Sequence, residues 1–534
     1  MFLKRLALLF ALLIVMPQAT PARTSYSYAL QHHQTSTHST AAQLCFDRGL
    51  TLFYAYARLA SRRAFECAAK ADPSFAMAYW GIALAHGSNI NFAVDQAGEM
   101  AAYAAIHRAL AMDAHAPAEE QAYIRALASR YSNRSKPDFR ALARSYKTAM
   151  GELMRRYPDD PDTATLYAEA MMELQPWQLY SPSGEPLGNT NEIVATLESV
   201  LAREPENIAA NHFYIHAVEA SRHPERALPS AARLQAMQFE PAAAHLSHMP
   251  AHIYMRTGDF DLAAQMNEHA SMHDIAYLHG AGEPDPEFVS GYHDHNLSML
   301  AAAYSDEGSW VKAKRVAGML TSEGALVPAM FVYLRFGRWD EILRLPKPKS
   351  DSGEPDAPTE MRLPIWHYAR GMAYGSNGRI SEAKRELSFV RQAQKELNVP
   401  AWPGTWNSSS NLLKIASDVL GARIAAADGL SRQAVDLLRS AVKAQDNLLY
   451  IEPADWYFPV REALGAALFA RGDFASAADV FRADLRRNPR NPRSLFGLYQ
   501  SLLARGEDAD AAVVRRQFTT AWKEADTQIE MSDL

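Results

Sequence analysis

The chain has 534 residues, 48% of them hydrophobic, and 29 prolines spread along its length. That is long for one compact domain, and the composition favours an elongated array of short helices. A net charge of −6 with interspersed signs supplies no basic face, which argues against nucleic acid as a partner, and two cysteines exclude a cysteine-rich zinc module.

Residues 1–22 have the three parts of a secretory signal peptide: Lys4 and Arg5, an apolar run from Leu6 to Met16, and the small-residue exit Thr20-Pro21-Ala22. The run is too short for a membrane span and no later stretch is apolar enough for one, so the expected location is exported, periplasmic or secreted. Residues 23–41 are Ser, Thr, Gln and His without periodicity and read as an extended arm, on which His32, His33 and His38 offer weak metal contacts at most. From 42 to 175 the pattern is helical. Gly49, Ala64-Phe65, Asp72-Pro73, Trp80-Gly81 and Leu84 are the small and large residues with which a tetratricopeptide repeat lets antiparallel helices touch. Cys45 and Cys67 lie equally far on either side of Tyr56, where the first hairpin should turn. A disulfide and a pair of buried thiols are both compatible with that placement.

A second helical array, 176–345, opens with the aromatic loop Pro176 to Pro186 and contains a Gly/Pro/acidic loop from Gly280 to Gly291. A turn signature of Gly, a bulky residue two later and a small one five later recurs at Gly258/Phe260/Ala263, Gly308/Trp310/Ala313, Gly378/Ile380/Ala383 and Gly472/Phe474/Ala477. Its irregular spacing implies insertions between roughly a dozen hairpins. Residues 346–360 read as a linker, 361–525 as a C-terminal array and 526–534 as a tail. Strand signals are nearly absent. The expected fold is all-α, an α-solenoid of tetratricopeptide-like antiparallel helix pairs.

Eleven of the 18 histidines fall between His212 and His295, where an even spread would put about three. Two segments repeat: a shift of 36 residues lays His212 on His248 and His216 on His252. On a helix, residues i and i+4 share a face, so each segment presents a two-histidine rake, which Glu219 extends. With Ala227, Ala263 and Ala313 as landmarks, His245 and His295 occupy one slot, His212 and His248 a second, His216 and His252 a third, and Glu219 a fourth. In such repeats these slots on the first helix face the concave groove. The expected metal residues are therefore His212, His216, Glu219, His245, His248, His252 and His295, with the two rakes sharing an ion.

Imidazole without thiolate points to zinc or copper first and iron less. Met249 and Met255 would favour copper only with their sulfurs facing inward. Glu219 as general base would suit hydrolysis, and a copper or iron site oxidation. No H-E-x-x-H, G-x-S-x-G, phosphate loop or dinucleotide fingerprint is present, so whether the chain is an enzyme stays open. Pro250 either lies in the first turn of a helix capped by Ser247 or interrupts one that begins near Ala242. The rival reading is a metal-free adaptor that cradles a peptide or partner protein in the same groove.

Several of these segments also carry a resemblance. Ser36-Thr37 with Ala42-Gln43, Phe46-Asp47 and Gly49, then Ala76 to Gly81, Pro176-Trp177, His212 to Ser221, His245 to Tyr254, His295-Asn296, and Glu452-Pro453 with Pro459-Val460-Arg461 resemble a family of exported bacterial tetratricopeptide-repeat proteins. The match spans nearly the whole mature chain. It implies the repeat fold and the importance of the histidine segments without naming a reaction. Leu297-Ser298-Met299 departs from the family's His-Phe after Asn296, which leaves no family ligand just after His295.

Overall fold

The computed structural model describes residues 28–280, 289–320, 326–348, 361–397 and 406–534. Residues 1–22, read above as a signal peptide, and most of the residues read as a linker and of the Gly280–Gly291 loop lie outside them. Among the described residues the chain is an α-solenoid of tetratricopeptide-like antiparallel helix pairs, without strands beyond one isolated bridge between Tyr180 and Pro186. No helix among them is long and apolar enough to cross a membrane.

Glycine notches set the spacing of the pairs. Phe65 lies between Gly49 and Gly81, where added methyl groups would stand 2.8 and 2.2 Å from its ring. Phe481 lies between Gly465 and Gly497 in the same way. In both cases the ring comes from the second helix of a pair, and the glycines from the first helices on either side let it seat against bare backbone. The first hairpin turns at Tyr56, which has φ 57°, and its helices, Thr40–Tyr54 and Arg58–Ala71, are bridged by a Cys45–Cys67 disulfide.

The arm is extended, but it is bound. His33 Nδ1 lies 2.8 Å from Asp162, Ser36 hydrogen-bonds Glu120 and Thr37 hydrogen-bonds Asp72. Gln31 is buried, and its side-chain oxygen accepts from Ile208 N at the start of helix Ile208–Val218, which carries the first rake. His33 is therefore anchored on the folded array and not loose. Burial opposes its charge, but Asp162 and neighbouring carboxylates raise its pKa to about 9.

The apolar core forms two clusters that meet on helix Leu326–Arg335, which gives Ala329 and Val332 to the first and Val327, Met330 and Phe331 to the second. The solenoid does not run on as an open rod. Its C-terminal turns fold back on the histidine-bearing array: Arg490 bonds Thr257 O and Asp259, and Asp526 accepts from Trp310 N and Val311 N at the start of helix Trp310–Ala317. Arg335, buried, joins Asp306 to Glu462. A cleft of about 1020 Å³ is left between the arrays.

Two predictions follow from this packing. Gly81→Ala drives a methyl group into Phe65 and costs about 1–3 kcal/mol, read as a lower denaturant midpoint. The anchor at His33, whose folded pKa lies above the unfolded value, is fully present below pH about 6.5 and is lost as pH rises through about 9. Proteolysis of the arm, corrected with an unstructured peptide, should accelerate across that window, and His33→Ala should abolish the pH dependence.

Candidate metal centre

Helix Ile208–Val218, capped by Asn207 through Ala210 N, is buried on every face, which is why its pattern lacks a polar side. It carries His212 and His216, and Glu219 follows at its C-cap. The next first helix is split: Ala244–His248 carries His245 and His248, and Pro250–Thr257 carries His252. Helical residues begin at Pro241, ahead of Ser247, so Pro250 interrupts a helix already under way and denies Leu246 O its amide partner. His295 lies in the first turn of helix Asp294–Glu307.

These seven side chains come together, and the two rakes meet where His216 and His252 flank Glu219, their rings 5.4 Å apart. His212, His216 and His245 form one triad and His248, His252 and His295 a second, each with its ligating atoms within 4.8 Å of one another. Each triad is one rake plus the histidine that opens the next first helix. They do not line an open groove wall: His212 and His248 are fully buried, and only His295 is partly accessible. Tyr56 stands edge-on to His212 and tilted against His245 at ring separations of 4.9 and 5.2 Å, Trp177 from the aromatic loop stands edge-on to His216 at 5.5 Å, and Tyr292 covers His245 at 5.2 Å.

Glu219 links the triads, with Oε1 2.8 Å from His216 Nδ1 and Oε2 2.5 Å from His252 Nδ1. A carboxylate only accepts, so both Nδ1 atoms carry protons and both Nε2 atoms are directed to their triads. Asn267 settles His248 in the same way. Its amide nitrogen donates to Ala263 O, so its oxygen faces His248 Nδ1 at 2.6 Å and that nitrogen is protonated too. Three Nε2 atoms then converge, His248 lying 2.7 Å from His252 and 2.9 Å from His295. In the other triad His245 Nε2 is 3.1 Å from His212 Nε2, while buried His216 Nε2 and His245 Nδ1 have no hydrogen-bond partner.

Burial and neighbouring histidines push His212, His245 and His248 well below the usual imidazole range and His295 to about 3. The neutral, ligating form therefore persists to lower pH than an ordinary histidine would allow. Burial lowers His216 despite Glu219, whereas at His252 the pull of Glu219 prevails and the pKa rises. Against its own burial, Glu219 is held at about 2 by His252 and His216. With both oxygens engaged, this carboxylate orients His216 and His252.

Sequence reasoning missed two residues supplied by the C-terminal array. Tyr450 OH bonds Glu452 and stands 3.5 Å from Glu219 Oε2, and burial raises Glu452 to about 7. The segment around Glu452-Pro453 was visible only through the resemblance, because nothing in local spacing ties it to histidines so far upstream. The other histidines stay apart. His223 pairs with Glu225 at the surface, the rings of His269 and His273 meet at a tilt, His293 meets Asp274, and His367 pairs with Glu386 in the second core. Met249 is buried in the core and Met255 packs against it, so neither sulfur is counted among the donors.

No family model matches the chain, and no curated protein matches it. Among solved structures it is similar to the APC/C hetero-tetramer Cut9–Hcn1, with 11% identity, TM-score 0.31, and coverage of 77% of this chain and 80% of that one. It is also similar to the human IFIT1 dimer with PPP-AAAA, with 11% identity, TM-score 0.31, and coverage of 90% and 91%. Neither likeness bears on what this chain binds.

Removing the shared carboxylate tests the network. Glu219→Ala leaves two buried imidazole N–H groups without an acceptor, and should destabilise the metal-free protein by about 3–5 kcal/mol in denaturant titration. Glu219→Gln keeps one acceptor and should lose clearly less.

Proposed function

We propose that this chain is an exported helical-repeat metalloprotein that holds a transition metal on buried histidines. The carrying observation is the convergence of His248, His252 and His295 Nε2 atoms within 2.9 Å of His248. The Nδ1 atoms of His248 and His252 already donate outward, so at most one proton between two rings can satisfy the cluster, and the third nitrogen is left over. One cation satisfies all three. Outer partners such as Glu219 and Asn267 are the usual means of fixing a ligating tautomer.

Zinc and copper suit three imidazoles best, and iron less. Three protein ligands leave a four-coordinate ion one open position, as in catalytic rather than structural sites. Glu452 lines the cleft and is suited by its pKa of about 7 to move a proton there. The Cys45–Cys67 disulfide and the resemblance to exported bacterial repeat proteins support an oxidising compartment.

A second reading, a groove for a peptide or partner protein, is favoured by the cleft of about 1020 Å³, whose walls include Arg222, Arg256, Arg487, Asp446, Tyr450 and Tyr457. The two readings separate on metal content. Untagged protein purified from its native compartment should carry zinc, copper or iron in elemental analysis. His248→Ala should lose the ion held with His252 and His295, read as a fall in metal per chain, while keeping its helical circular-dichroism signal, and His223→Ala should change neither. If the wild type binds none at micromolar concentration and neutral pH, the metal reading fails and the partner cleft stands.

A further inference from the structure

The geometry points to a centre of two metal ions, one in each histidine triad, coupled through Glu219. This rests on the metal reading above and deepens it, because that reading needs only the triad of His248, His252 and His295.

The triad of His212, His216 and His245 calls for its own ion on separate observations. His216 donates its Nδ1 proton to Glu219, so its Nε2 carries a lone pair. That atom is buried and has no hydrogen-bond partner, as is the case for His245 Nδ1 in the same triad. His245 presents Nε2 to His212 Nε2 at 3.1 Å, close to the separation of about 3.3 Å that two nitrogens have around a tetrahedral ion with 2.0–2.1 Å bonds. A buried lone pair without a donor is costly, and the one on His216 Nε2, beside a His212–His245 pair that shares at most one proton, is better explained by a shared cation than by packing.

The two positions are adjacent and distinct. His216 and His252 stand 5.4 Å apart, ring to ring, and each gives Nδ1 to a different oxygen of Glu219, so their Nε2 atoms serve opposite sides of the carboxylate. The central grouping of His216, Glu219 and His252 uses the nitrogens that carry protons, and is therefore the hydrogen-bonded link and not a third site. The sequence repeat has the same consequence. A shift of one unit copies the rake, and the histidine opening the following first helix completes each copy.

Beside the first triad, against His216 and Glu219, lies a cavity of about 20 Å³ whose other walls include Met172, Trp177, Leu179 and Tyr450. It has room for one water-sized molecule, and so places a small exogenous ligand beside the ion of this triad.

The test is stoichiometry. Untagged, chelator-stripped protein is titrated with Zn2+ and, separately, with Cu2+, desalted, and analysed for metal per chain, with circular dichroism as the control for folding. The wild type should take two equivalents. His245→Ala and His295→Ala should each keep one, and the double variant should keep none. Where an alanine variant fails to fold, the glutamine variant at the same position replaces it. Saturation at one equivalent, or loss of both ions in either single variant, overturns the two-ion centre while leaving the metal reading intact. No binding at all removes both.

Discussion

The carboxylate of Glu219 is the constraint on which the centre depends. It is buried between two first helices of neighbouring repeats, and each of its oxygens takes one imidazole proton, from His216 on its own helix and from His252 on the next. That single group fixes two ring orientations, two tautomers and the register between two repeats. Its charge also offsets the burial of whatever positive charge the histidines hold, which a neutral side chain there would leave uncompensated. The remaining contacts arrange themselves around this link: Asn267 orients His248, Tyr56 and Trp177 wall the rings, and Tyr450 reaches the carboxylate from the far end of the chain.

Such a site needs repeats that stack closely and do not slide. The phenylalanine knobs at Phe65 and Phe481 seat against paired glycines, a fit with no slack for register change. At the site itself Pro250 breaks the first helix between His248 and His252, and so sets the angle at which the two rings meet. The arm adds a tie at Ile208, and the folding-back of the C-terminal turns brings Tyr450 and Glu452 to a cluster that would otherwise face open solvent. A repeat scaffold that usually offers an exposed concave surface has here been closed over a polar interior.

Much of this was legible in the chain. The Gly/Ala/Phe spacing specified antiparallel helix pairs, and the slot occupied by each histidine followed from the turn landmarks. What the slots did not tell was the grouping. Sharing a face on one helix suggested that the rakes would meet each other, as His216 and His252 do beside Glu219, but it did not tell that each rake also gathers the histidine opening the next first helix. Burial was also missed, because periodicity within a helix cannot register a cover supplied by Tyr56, Trp177, Tyr292 and Tyr450 from distant segments. The arm was read as loose for a related reason: its polar residues lack periodicity, yet each finds a specific partner on the folded array. That both oxygens of Glu219 are engaged is likewise something composition alone cannot reveal.

The most direct test is a crystal structure of protein grown with Zn2+ or Cu2+, with diffraction data collected on both sides of the metal's absorption edge. The account predicts two anomalous peaks, one among the Nε2 atoms of His248, His252 and His295 and one within the triad of His212, His216 and His245, with Glu219 between them. Well-ordered histidines without an anomalous peak, or a single peak midway between the two rakes, would contradict it.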